Sequence, residues 1–121
     1  MADELKTFLA VFLGTPARME AFRKLPEAER RAAEAKGMAA WGAWAQKHAA
    51  VTVGGAPLGR TKRVSASGTT DVRNDLAAYT VVRAASYEDA AKMFENHPHF
   101  TIFPGEAVEI MELLPIPGQR P

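Results

Sequence analysis

The sequence predicts an α+β fold: a four-stranded antiparallel sheet with two main helices on one face. Three observations predict it. The run Lys6 to Leu13 is apolar, rich in β-branched and aromatic residues, and stopped by Gly14-Thr15-Pro16, as a buried strand is. Further strand patterns cover Arg60 to Ser67, Asp75 to Ala84 and Glu106 to Leu114. Two stretches with apolar residues at spacings of three and four lie between them, and these are helical. The order is strand, helix, strand, strand, helix, strand, with an extra short helix after strand one. This βαββαβ order is the ferredoxin-like split arrangement.

Each element has a local reason. The first strand is apolar on both sides, as a central strand covered twice would be. Thr15 then reads as a helix N-cap with Pro16 in the first helical position. Met19, Phe22 and Leu25 lie three apart on that short helix. Pro26 restarts a helix that runs from about Glu27 to Ala50, with Glu27 and Glu29 in the first turn, where the helix dipole favours anions. Its second half carries Met38, Trp41, Ala45 and His48 on one face, with Trp44 beside them. Gly54-Gly55-Ala56-Pro57-Leu58-Gly59 reads as a loop, and Gly68-Thr69-Thr70-Asp71 as a turn. In strand three, Leu76, Ala78, Thr80 and Val82 share a face. Ser86 caps the next helix, whose inner stripe is Tyr87, Ala90, Ala91 and Phe94. Pro98 ends it, and a loop from Phe100 to Gly105 leads to the last strand. There Val108, Ile110 and Glu112 share one face, and Ala107, Glu109, Met111 and Leu113 the other.

The sheet face turned away from the helices keeps apolar residues, one choice per strand being Phe8 or Leu9, Val64, Tyr79 and Met111. Soluble monomers rarely leave such a surface wet, which predicts a homodimer with sheets packed face to face. The abundance of alanine predicts close helix–sheet packing and modest cavities.

The chain of 121 residues, 47% hydrophobic and 24% charged, has the size and make-up of one domain over 1–121. It contains no cysteine, which excludes thiol nucleophiles, thiolate zinc sites and disulfides. The formal net charge of +1 gives no basic field for nucleic acid. The one dense basic run, Arg60-Thr61-Lys62-Arg63, lacks interleaved aromatics and reads as an edge guard. Asp3 and Glu4 precede the apolar run, so it is not read as an export signal, and the expected location is cytoplasmic. No membrane contact is expected.

The best candidate for chemistry is His97-Pro98-His99: two imidazoles beside a rigid proline. The plainer reading is a helix C-terminus that favours a cation at His97, with Pro98 as a stop signal. Glu109, a carboxylate among apolar strand neighbours, is a candidate base and partner for the histidines. Adding Glu106 or Glu109 to the histidines gives only a weak metal pattern, and neither metal nor cofactor is expected. Trp41, Trp44, His48, Asp75, Tyr79 and Phe100 are candidates for lining a ligand cleft. The alternatives are a core stripe for the helical set and a satisfied core hydroxyl for Tyr79.

Gly54-Gly55-Ala56-Pro57-Leu58-Gly59, Ala78-Tyr79-Thr80-Val81-Val82, Ser86-Tyr87-Glu88-Asp89-Ala90, His97-Pro98-His99 and the closing Val108 to Pro115 together resemble the YCII-related family. The resemblance covers roughly Trp41 to Pro117 plus strand one. The family's DGPF tetrapeptide is absent, with Asp71-Val72-Arg73-Asn74 in its place, and the helix after strand one is extra. The resemblance implies a dimeric α+β barrel with a small cleft. It implies no settled reaction. An enzyme built this way would carry out cofactor-free acid–base chemistry, of lyase or isomerase type, on a small organic molecule. The alternative is a non-catalytic ligand-binding or regulatory dimer.

Overall fold

The computed structural model describes residues 4–118, so the domain read over 1–121 extends past it at both ends. Six strands and four helices follow one another: β1 (Lys6–Leu13), α1 (Pro16–Arg23), α2 (Glu27–Lys47), β2 (Thr52–Pro57), β3 (Thr61–Ser65), β4 (Gly68–Val72), β5 (Leu76–Ala84), α3 (Tyr87–Met93), α4 (Pro98–Thr101) and β6 (Ala107–Glu112). A 3-10 turn, Ala49–Val51, links α2 to β2. The main sheet has the order β2-β5-β1-β6, and every neighbouring pair is antiparallel. With β3 and β4 set aside as an insertion, this is the ferredoxin-like βαββαβ topology.

Alternation along β1 decides which residues meet the helices. Phe8, Ala10 and Phe12 are buried, and their register partners Val82, Thr80 and Ala78 on β5 share that face. Trp41 and Trp44 of α2, with Ala90, Met93 and Phe94 from the α3 region, close over them. Leu9, Val11, Tyr79, Val81 and Met111 alternate to the other face, which nothing among the described residues covers; Met111 is 42% exposed. Of the residues expected on that face, Leu9, Tyr79 and Met111 lie on it. Phe8 belongs to the core instead, and Val64 is 77% exposed on β3, outside the sheet.

The predicted caps form. Thr15 Oγ1 accepts from the Arg18 N–H at 3.2 Å, and Ser86 Oγ accepts from the Asp89 N–H at 3.1 Å.

Strand two is elsewhere than expected. Arg60 to Ser67 does not enter the main sheet; it forms β3, paired only with β4, and the expected turn Gly68 to Asp71 is part of β4. The glycine-rich stretch read as a loop is the real edge strand, β2. An edge needs only one ladder of hydrogen bonds, so it tolerates Pro57 at its end. At Gly55 a Cβ would stand 2.6 Å from the Tyr79 carbonyl oxygen, so only glycine allows this pairing. Pro98 is the other correction. It does not end α3, which stops at Met93 with Asn96 turning the chain after it; Pro98 starts the one-turn helix α4, which takes in the first residues of the expected loop.

Candidate functional site

A cleft of about 970 Å³ opens between α1, α2 and the β2–β5 half of the sheet. It is far larger than the alanine content suggests. Small residues here face one another instead of bringing the layers together: Gly42 and Ala45 on α2, Gly54, Gly55 and Ala56 on β2, Ala77 and Ala78 on β5. Among all α2 residues only Gly37 is buried, where the Phe103 ring fills the space a Cβ would need. The helix thus rests on Phe103 at one point and on Trp41 and Trp44 further along, with open space beneath.

His97 and His99 come together beside this cleft, which His99 lines and His97 does not. Asn96, in the left-handed region at φ 57, turns the chain inward after α3. His97 is 1% exposed and serves as the N-cap of α4: its Nδ1 accepts from the His99 N–H at 3.0 Å. The remaining ring proton is therefore on Nε2, a buried atom without a hydrogen-bond partner among the described residues. Aromatic rings enclose it, with Trp41 edge-on at 4.5 Å, Trp44 at 4.9 Å and Phe12 at 5.1 Å. Burial, then the neighbouring His99 and His48, push its pKa down to about 4. The sequence reading of His97 as a cation at a helix C-terminus is corrected: it is a neutral ring at a helix N-terminus.

His99 is 6% exposed and lines the cleft. Its Nε2 lies 2.7 Å from the Leu13 carbonyl oxygen, which can only accept, so Nε2 carries the proton. Nδ1 is then the lone-pair nitrogen. It has no protein partner among the described residues, yet it is not sealed off as His97 Nε2 is. Burial lowers the His99 pKa, opposed in part by the bond to Leu13. At neutral pH this ring is an uncharged base.

The other candidates separate. Trp41 and Trp44 line the cleft, whereas Tyr79 borders it along β5 with a side chain that alternates to the uncovered face. Trp44 is fixed by its Nε1–H, which donates to the Met93 carbonyl at 2.6 Å. His48 sits at the α2 C-cap against Trp44, ring centroids 4.8 Å apart, outside the cleft lining; burial and then Lys47 lower its pKa. Asp75 is exposed in the turn before β5, where its carbonyl accepts from the Gly14 N–H. Phe100 lies in a smaller depression with Glu106 and Val108. Glu109 is exposed on the uncovered sheet face, beside Val11, so the sheet stands between it and the imidazoles. The expected pairing of Glu109 with the histidines is not formed. Among the described residues no three His, Asp or Glu side chains gather as a metal-ligand set, and no helix is long and apolar enough to cross a membrane.

Sequence reasoning missed several cleft residues. Thr80 is a polar residue at an inward position of β5, a signal that the alternation already carried. Phe12 and Phe22 sit in apolar strand and helix patterns, and Phe103 in the stretch read as a loop. Arg23, Arg30 and Glu34 supply the charge at the mouth, and nothing local marks them.

No family model and no curated protein matches the chain. Among solved structures, it is similar to 5-chloro-2-hydroxyhydroquinone dehydrochlorinase from Burkholderia phenoliruptrix, in complex with 2,5-dihydroxybenzoquinone. The likeness covers 89% of this chain and 93% of that one, with a TM-score of 0.55 and 16% sequence identity, and it extends to the fold.

Proposed function

We propose that this is a YCII-related protein whose helix-side cleft takes a small organic molecule, and that His99 serves as its acid–base group in lyase- or isomerase-type chemistry. One observation carries the reading. A neutral imidazole with a free lone pair lines a large apolar cleft and is held from three sides: by the Leu13 carbonyl, by His97 Nδ1 through the backbone, and by Gly105 against the ring. His99 Nδ1 would take a proton from the ligand, and the Nε2–H bond to Leu13 would steady the imidazolium that forms. The proton then returns to another carbon, giving an isomer, or leaves with a departing group, giving an elimination. The structural neighbour's printed activity, loss of hydrogen chloride from a hydroxylated ring, is a reaction of the second kind. His97 acts on His99 and not on the ligand.

A binding-only reading has its own support: the cleft walls are mainly aromatic and aliphatic, and among the described residues no carboxylate stands beside the imidazoles. One experiment separates the two. The protein is incubated in D2O with a panel of hydroxylated aromatics and enolisable ketones, and deuterium uptake and halide release are followed by NMR. Turnover that disappears in His99→Gln while binding persists supports the enzyme. Binding without exchange in either protein leaves the ligand-binding module.

We further propose a homodimer through the uncovered sheet face. The apolar row Leu9, Val11, Tyr79, Val81 and Met111 supports it.

A further inference from the structure

The proposed ligand cleft also points to a ligand class, which rests on that reading. We infer that the cleft takes a monoanion: an elongated aromatic or unsaturated carboxylate, with the carboxylate held at the mouth by Arg23 and Arg30.

Three observations carry this. First, the charged lining groups lie at one end. Arg30 Nη1 donates to the Arg23 carbonyl at 3.4 Å, which brings the end of α1 against the start of α2. Both arginines line the cleft, as does Glu34, and Glu20 pairs with Arg23 beside the lining. Second, each guanidinium keeps donors free. Arg30 uses Nε on Glu34 at 3.2 Å and Nη1 on Arg23, leaving Nη2. Arg23 uses Nη1 on Glu20 at 3.3 Å, leaving Nε and Nη2. A planar fork with spare N–H groups suits a carboxylate. Arg23 is already paired with Glu20 and Arg30 with Glu34, so the mouth holds no surplus charge; what it offers is the free N–H groups, which suit one carboxylate better than a polyphosphate.

Third, the far end offers no competing charge. His99 is uncharged at neutral pH, and between it and the arginines the walls are Met19, Phe22, Met38, Trp41 and Phe103. Arg30 and Trp41 are eleven residues apart on α2, about 16 Å at the helical rise of 1.5 Å per residue. A two-ring or similarly long body fills that length more fully than a single benzoate does.

The probes are biphenyl-4-carboxylate, its neutral amide and benzoate, titrated by quenching of tryptophan fluorescence and by calorimetry. The carboxylate is expected to bind at least tenfold more tightly than the amide and than benzoate. Arg23→Gln should narrow the preference over the amide about threefold, and Arg23→Gln with Arg30→Gln should abolish it while amide binding holds. Gly42→Leu is the control for the cleft itself. A Cβ at position 42 meets nothing within 4 Å, so the fold tolerates the side chain while the cleft loses space. It should weaken both biphenyl probes at least tenfold. Equal binding of carboxylate and amide, still sensitive to Gly42→Leu, overturns the anion inference and leaves the cleft reading standing. If neither biphenyl binds, or if Gly42→Leu has no effect, both fall.

Discussion

Gly105 lies against the imidazole of His99 so closely that a methyl group at position 105 would occupy the ring's own space, and its N–H donates to the His99 carbonyl at 2.9 Å. The backbone thus grips the residue from below while Leu13 holds its Nε2. Gly105→Ala is expected to push the ring off Leu13 and to destabilise the protein by about 1–3 kcal/mol, the usual range for overpacking. A denaturant midpoint lowered without change of slope, together with a shifted His99 ring signal by NMR, is the expected result. An unchanged His99 signal would sink the account of how this ring is fixed.

Acid should unfold the protein early. His97 titrates near 4 in the folded state against an ordinary 6.5. Between those values the unfolded chain holds a proton that the folded chain does not, so stability is complete above about pH 6.5 and falls as pH drops towards 4. The loss from His97 is about 3 kcal/mol. His99 and His48, both lowered, add in the same direction. Urea midpoints measured from pH 7.5 to pH 4.5 check this. A flat profile would mean that His97 is not buried neutral.

Glu109→Gln should leave ligand affinity in the cleft within about twofold, since a sheet separates position 109 from His99. Titration of wild type and variant with biphenyl-4-carboxylate tests it. A tenfold loss would place Glu109 within reach of the ligand after all.

Val11 lies near the centre of the uncovered sheet face, between Tyr79 and Glu109 in the register. Val11→Glu should convert a dimer to a folded monomer, because an unpaired carboxylate in an apolar interface costs several kcal/mol. Native mass spectrometry and circular dichroism read the two halves of that statement. A wild-type monomer, or a dimer indifferent to the change, rejects the face-to-face arrangement.

The ferredoxin-like order is legible because periodicity survives in Phe8-Ala10-Phe12, in Trp41 and Ala45, and in Ala78-Thr80-Val82. β2 is not, since its Gly54-Gly55 and Pro57 are turn residues in every local sense; what makes them a strand is the β5 edge waiting beside them. α4 is hidden for a related reason, as Pro98 reads as a stop for the helix before it when in fact it starts another. The His97-Pro98-His99 motif is visible in the sequence, but its role is not. That His97 is a neutral cap and His99 the cleft-facing ring depends on Leu13 and Gly105, distant or unremarkable in the sequence. Alanine and glycine read as aids to close packing. A small side chain fits a tight contact and an open cavity equally well, and only the spacing of α2 above the sheet tells them apart.

The β3–β4 hairpin leaves and rejoins the sheet between neighbouring strands. Its base is closed where the Leu58 N–H donates to the Ala77 carbonyl at 2.9 Å, and it takes no part in the core. Such an insertion behaves as a cassette. Replacing the stretch from Gly59 to Asn74 with a short turn should leave the four-stranded sheet intact, and foreign segments of similar length should graft there. The scaffold can thus acquire a new exposed arm, or lose this one, without renegotiating its interior.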